Sequence, residues 1–381
     1  MPLVLSLAGP AASVSPAATP STGVASLGAC AGGMSPATGD AVRIIPGHAL
    51  PGHAAALMGQ TAPQLATGAP AVQLPADEAA HHAPVEWWYF NGHLAGTDAA
   101  GHLHCYGFEY VTFQFLGLGP APLYVANFAI TDLDRKTFSY QARNASQPAP
   151  TKKDGFALHT ANWSMSGGSG TDVLNAALPN YSLDLRLQST EPAVLEGDDG
   201  IVSEGAMGTS AYYSWTSLIA RGTLVDHGVP IKVVGISWMD HQWGAVDLEG
   251  GGGWDWFSVQ LSNGDQYLLA FIRNSTGRIV SNFGTRVIPT GQAEHMQGTL
   301  TEQGLGSWHS AASGFTYGSG WHLTLPGGTL TVTPDLRDQE LDFRSTTGNV
   351  YWEGDVSVAG RLDGSNVAGV GYTELNPPGG F

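Results

Sequence analysis

The segment Trp238-Met239-Asp240-His241-Gln242-Trp243-Gly244 sets a carboxyl and an imidazole between two indoles. In an extended strand alternate side chains share a face. Trp238, Asp240 and Gln242 are therefore expected to point one way, and Met239, His241 and Trp243 the other. Apolar surroundings disfavour the charged form of a carboxyl and raise its pKa. A neutral acid beside aromatic surface can deliver a proton to a hydrophobic substrate. The same Asp240 can instead be a buried anchor that accepts hydrogen bonds from backbone or indole N–H groups. For one acid in an aromatic setting the structural reading has the edge. Glu86, ahead of Trp87-Trp88-Tyr89-Phe90, offers a second acid or base, or a salt bridge or cap. Asp255, between Trp254 and Trp256, carries the same ambiguity. Glu353 and Glu374 are expected to satisfy local polar groups.

Other chemistries find less support. His102 and His104 share a strand face, and His81, His82 and Glu86 are close in sequence, but no third ligand stands at a zinc-type spacing. No metal and no cofactor is expected. Gly167-Gly168-Ser169-Gly170 lacks the spacing of a nucleophile elbow, and Gly250-Gly251-Gly252-Gly253 opens no helix that could bind a dinucleotide. A glycan-cleaving cleft would need carboxylates facing each other, which spacing alone does not supply.

These side chains need a frame, and the composition describes one. Only 12% of the 381 residues are charged, against a usual ~25%. There are 52 Gly, 11 Trp, 12 Tyr and 13 Phe, which suits turn-rich β-structure. The formal net charge is −17, with only 15 Lys and Arg. Nucleic acid needs basic neutralisation, and an anionic membrane would repel this surface, so a neutral or cationic ligand is expected. No apolar run is long enough to span a bilayer.

Residues 1–76 hold one acid, Asp40, and one base, Arg43. They show no sustained periodicity and read as a leader followed by a disordered, flexible tether. Leu27-Gly28-Ala29-Cys30 resembles a bacterial lipobox, which makes Cys30 a lipidation candidate, although Met1–Leu7 carries no positive charge. Export is expected, periplasmic or extracellular, with a possible membrane tether. The only cysteines are Cys30 and Cys105. Two are too few for a disulfide framework, and if Cys30 carries a lipid, Cys105 is a lone, buried and inert thiol.

From residue 77 onward the signals are strands. Tyr181-Ser182-Leu183-Asp184-Leu185-Arg186-Leu187 alternates cleanly. Asn91-Gly92 suggests a turn or bulge, and Ser262-Asn263-Gly264-Asp265 a hairpin. No stretch reads as a long amphipathic helix. Short strands with turn signals point to antiparallel barrels or sandwiches. The glycine loop Glu249–Gly253 divides the body into residues 77–245 and 246–381. Trp88, Tyr89, Phe108, Tyr110, Tyr213, Trp215, Trp238 and Trp243 are candidate ligand-binding aromatics, each singly more often plain core.

Several blocks in order carry a resemblance. They are Glu86-Trp87-Trp88-Tyr89-Phe90-Asn91-Gly92-His93-Leu94, Tyr212-Tyr213-Ser214-Trp215, the 238–244 box, Gly253-Trp254-Asp255-Trp256-Phe257, and Tyr351-Trp352-Glu353-Gly354 with Gly371-Tyr372-Thr373-Glu374-Leu375. Over about residues 74–376 the chain resembles the AttH-like and carotenoid 1,2-hydratase lipocalin family. The resemblance implies an all-β protein of two lipocalin-like antiparallel barrels packed together, most simply a monomer. It implies hydrophobic small-molecule ligands and diverse chemistry: hydration of an isoprenoid double bond, hydration of a prenylated flavonoid, or Diels–Alder closure. It matches Asp240 to the proton-donating aspartic acid of the carotenoid hydratases. With His241 and Glu86 as further catalytic candidates, it suggests a hydratase or a cyclase/isomerase acting on an isoprenoid- or polyene-like substrate. A noncatalytic exported carrier or sensor of a lipophilic ligand is the alternative.

Overall fold

The computed structural model describes Cys30 and residues 72–248, 252–345 and 348–380. Two antiparallel sheets follow each other along the chain. The first contains β1 (Val85–Thr97), β2 (Leu103–Phe115), β3 (Leu123–Asp132), β4 (Thr137–Ser146), β5 (Phe156–Thr160), β6 (Trp163–Gly168), β7 (Thr171–Ala177), β8 (Tyr181–Ser189), β9 (Val194–Leu195), β10 (Ile201–Ser203), β11 (Gly208–Asp226) and β12 (Val229–Val246). Its order is β4-β3-β2-β1-β12-β11-β8-β7-β6-β5, with β9 and β10 also on β11. It curls until β5 meets β3 and β4.

The second sheet is built from β13 (Gly253–Leu261), β14 (Gln266–Arg273), β15 (Ile279–Val287), β16 (Ala293–Gln297), β17 (Thr301–Gly304), β20 (Trp321–Leu325), β21 (Gly328–Pro334), β22 (Glu340–Asp342), β23 (Val350–Leu362) and β24 (Ser365–Asn376). The pair β18 (Ser307–His309) and β19 (Thr316–Gly318) forms a small separate ladder. Both sheets make barrel-like bodies, as the resemblance implies.

Two burial regimes distinguish the strands. In β8, Tyr181, Leu183, Leu185 and Leu187 are buried while Asp184, Arg186 and Gln188 are exposed, the pattern of a strand with one wet face. Strands β1, β2, β3 and the end of β12 are buried on both faces. Trp88, Phe90, Phe108 and Tyr110 enter the first barrel core. Tyr89, Val111 and Trp238 pack outward with Trp256, Leu268 and Tyr372 of the second sheet. The second barrel has its own core around Phe257, Trp321 and Trp352.

Local chemistry sets the register. Asp226 pairs with Val229 across a two-residue turn, His227-Gly228, in which both φ angles are positive. That geometry is the one whose twist matches a hairpin, and a β-bulge between Trp215 and Leu218 then shifts the pairing by one residue, which aligns Ser214 with Asp240 and Tyr213 with His241. Asn91-Gly92 is not a turn, contrary to expectation. It lies mid-strand in β1, where Asn91 donates from Nδ2 to Ser258 Oγ of the second sheet at 3.2 Å. A Cβ on Gly92 would approach Ile236 O at 2.6 Å, so glycine here permits close packing. Gly107 does the same between the sheets, since a Cβ there would collide with Asp355 and the Tyr372 hydroxyl.

Two expectations about the amino-terminal region need correction. Cys30 is disulfide-bonded to Cys105. Its sulfur is therefore not available for a lipid thioether, and Cys105 is not a lone thiol. The stretch 72–76 belongs to the body, because Val72 is buried in the first core and Leu74 packs against it. The remainder of the expected leader and tether lies outside the described residues, as do residues 249–251 of the glycine loop. Thiol titration of the unreduced, denatured protein should find no free cysteine, and two after reduction. Two thiols before reduction, or a lipid adduct on the Cys30 peptide, would refute the bridge.

Candidate active site

One strand carries two sets of polar groups on opposite sides. On β12, Trp238, Asp240 and Gln242 face the second barrel, whereas Met239, His241 and Trp243 belong to the first core or pack against it. The expected alternation therefore holds, and it separates the catalytic candidates. Asp240 stands on one face of the sheet and His241 with Glu86 on the other.

Asp240 lies in the wall of a cleft between the barrels. The empty space, including its mouth, is about 850 Å³. Aromatic side chains from both sheets line it, Trp87, Tyr89 and Phe113 from the first, Trp254 and Trp256 from the second. Three donors hold the Asp240 carboxyl. Ser214 Oγ and Trp238 Nε1 donate to Oδ1 at 2.6 and 2.7 Å, and Tyr212 OH donates to Oδ2 at 2.7 Å. Trp256 Nε1 donates in turn to Tyr212 OH at 3.2 Å. A directional chain of hydrogen bonds thus runs from the second sheet to the acid on the first. Burial is the main effect on Asp240 and pushes its pKa up to about 6, against the lowering by Ser214, Tyr212 and Trp238.

Further acids surround the cleft. Glu204, Glu353 and Glu374 line it, and among the described residues the lining holds no Lys, Arg or His. Burial raises all three, Glu374 to about 7. Glu353 is raised further by the charges of Glu109 and Glu374, and it accepts a hydrogen bond from Tyr89 OH across the interface. Behind Asp240, burial raises Glu196 to about 8. Glu196 accepts from Thr285 Oγ1 of the second sheet, and its Oε1 lies 2.9 Å from Ser214 Oγ. A serine hydroxyl has one proton to give. With Glu196 neutral, Glu196 donates to Ser214 and Ser214 donates to Asp240.

The opposite face of β12 holds a different group. Glu86 Oε1 lies 2.8 Å from His241 Nε2 and 2.8 Å from His81 Nδ1. Its Oε2 accepts from the His81 backbone N–H at 2.8 Å and from Gln114 Nε2 at 3.0 Å. The His81 and His241 hydrogen bonds outweigh burial and hold Glu86 below the usual carboxylate range. His81 stacks on Trp243 with centroids 3.9 Å apart, and Trp88 stacks on His241.

Of the aromatic candidates, Tyr89 lines the cleft. Trp238 supports it by bonding Asp240 and packing edge-on against Trp256. Trp88, Phe108, Tyr110 and Tyr213 fill the first barrel core, and Trp215 and Trp243 pack against that core. Glu353 and Glu374 are in the cleft wall, not merely satisfying local groups. Asp255 is ion-paired with Arg273, which also contacts Glu302. Trp87, Tyr212, Trp254 and Trp256 are among the lining residues that sequence reasoning missed as ligand contacts. The quoted blocks contained them, but strand period alone does not say which face of each strand meets the cleft.

A pair of all-β barrels with an acid-lined aromatic cleft at their junction is thus the class defined by fold and site. A family model described as AttH-like matches residues 65–377, and the chain belongs to the AttH-like family. Kievitone hydratase of Fusarium solani subsp. phaseoli is 23% identical over 206 residues, 51% of this chain and 57% of that protein. The chain therefore spans just over half the length of the curated relative it matches. Among solved structures, a Nitrosomonas europaea protein described as AttH has a TM-score of 0.73 at 25% identity, covering 84% of this chain and 100% of that one. Kievitone hydratase from Nectria haematococca has a TM-score of 0.64 at 17% identity, covering 84% and 97%.

The raised acids give a stability prediction. A raised acid binds its proton more tightly in the folded protein than in the unfolded chain, so its contribution to folding fades as pH rises toward the folded value. Glu196 at about 8 and Asp335 at about 9 act this way. His93, lowered to about 4 by burial, opposes them only below its ordinary value of 6.5. The Tm should fall as pH rises from 6.5 to about 9, and Glu196→Gln should flatten the fall. An unchanged slope in the variant would mean that Glu196 is already ionised.

Proposed function

We propose that the inter-barrel cleft binds a hydrophobic alkene, isoprenoid- or polyene-like, and adds a proton to it from Asp240. The observation that carries this reading is a carboxyl 3% exposed, raised to about 6, in the wall of an aromatic cleft. Oδ2 accepts one hydrogen bond, from Tyr212, which leaves a lone pair for the acid proton. In the step, the alkene π pair takes that proton to form a C–H bond, leaving Asp240 ionised and the substituted carbon cationic. Ring faces stabilise such a cation through their quadrupoles, and the neighbouring carboxyls add to this when ionised. Water then attacks the carbon, and the oxonium proton returns to Asp240. The sum is addition of one water. Attack by a second double bond in place of water, followed by proton loss, gives cyclisation. Glu196 through Ser214 supplies a second route for restoring the Asp240 proton. The relatedness to a hydratase supports this direction.

Three donors on Asp240 also favour its charged form, and this supports the second reading, a noncatalytic carrier of a lipophilic ligand. The Cys30–Cys105 bridge supports export in either case, since disulfides persist in oxidising compartments. Incubation with a panel of isoprenoid alkenes in ¹⁸O-labelled water should give a labelled alcohol by mass spectrometry. Asp240→Asn, shown folded by circular dichroism, should lose at least ~10²-fold in rate. The rate should decline as pH rises through about 6, the Asp240 value. Undiminished turnover in Asp240→Asn would sink the proton-donor role. An apolar ligand recovered unaltered by native mass spectrometry, with no product from the panel, would select the carrier.

A further inference from the structure

The His81–Glu86–His241 group is not part of the cleft, and its geometry has its own meaning. One donor atom from each residue lies within 4.8 Å of the others. Both imidazole nitrogens stand 2.8 Å from Glu86 Oε1. In a facial octahedral arrangement with bonds of ~2.1 Å, neighbouring donors sit about 3 Å apart. Two imidazoles and one carboxylate with positions left open is a donor set for divalent transition metals.

The outer partners suit imidazoles that ligate an ion. His81 Nε2 lies 3.5 Å from Asp77 Oδ1. With a cation on Nδ1, the proton moves to Nε2 and points at Asp77, the carboxylate–histidine–metal arrangement that orients ligands. His241 fits equally, because its Nδ1 lies 3.2 Å from Tyr213 OH and its Nε2 is directed at Glu86. Glu86 Oε2 is held by the His81 backbone and Gln114, which fixes Oε1 toward both rings. Glu86 and His241 are fully buried, while His81 is 21% exposed beside Asp77 at 29%, so an ion has a way in.

We propose that His81 Nδ1, Glu86 Oε1 and His241 Nε2 bind one divalent transition-metal ion at the rim of the first barrel, with Asp77 and Tyr213 positioning the two histidines. The site is independent of the cleft chemistry. It ties the residues before β1 to β1 and β12.

The test uses the full chain, stripped with chelator and titrated with cobalt(II) while visible ligand-field absorption is recorded. Saturation at one equivalent, displacement by zinc and a rise in Tm with metal are expected. His81→Ala alters the most exposed ligand and should weaken binding by more than ~10-fold, with Asp77→Asn weakening it by about 10-fold. A control addresses the surface group of Asp98, His102, His104 and Asp134, where His104 lies 3.3 Å from Asp98 and 2.9 Å from Asp134. His104→Ala should leave binding unchanged. Absence of saturable uptake, uptake undiminished in His81→Ala, or loss in His104→Ala alone would each overturn the assignment.

Discussion

Burial of both faces of the same strands is the constraint on which this structure turns. Strands β1 and β12 lie between the first barrel core and the second barrel. Each must therefore satisfy two different environments, one through its odd residues and one through its even residues. A one-residue slip would exchange them, placing Asp240 in the barrel core and Met239 in the cleft. The His227-Gly228 turn, the bulge between Trp215 and Leu218 and the close glycine contacts hold the register that prevents this. Hydrogen bonds across the junction reinforce it, including Asn127 Nδ2 to Tyr351 OH at 2.8 Å and Thr131 Oγ1 to Gln339 Oε1 at 2.7 Å. Each contributes on the order of 1 kcal/mol net, and costs more than that if one partner is left alone.

The junction is electrostatically unusual. Glu109 and Glu353 are buried with the half-buried Glu374 near them, and desolvation is the first cause of the rise in each. Two like charges in a site of low polarity cannot both ionise cheaply. Neutral acids remain good hydrogen-bond partners while adding little charge to an apolar interface. The cost is a junction whose cohesion depends on retained protons.

Much of the frame was legible in the sequence because it rests on short-range pattern. The alternation from Tyr181 to Leu187 is a strand signal with a wet face, and β8 shows that face. The opposition of Asp240 and His241 also follows from strand period alone. Legibility ended where both faces became apolar. Nothing in Trp87-Trp88-Tyr89 says which indole fills a core and which lines a cleft, since the second sheet that decides it begins at Gly253. Tyr213 and Trp215 read as ligand contacts for the same reason and serve the first core instead. Long separations hid the rest. Glu86 meets His241 155 residues on, and Cys30 meets Cys105 75 residues on.

The cleft is walled by the outer surfaces of two curled, nearly closed bodies, and each body keeps its packing inside. Under the proposed function, recognition and folding are thus assigned to different residues of the same strands. Trp87, Phe113 or Trp254 can be exchanged for side chains of other shape with neither interior repacked. A lineage built this way can drift from one small molecule to another at little risk to its fold, and two barrels joined back to back become a standing platform for new chemistry.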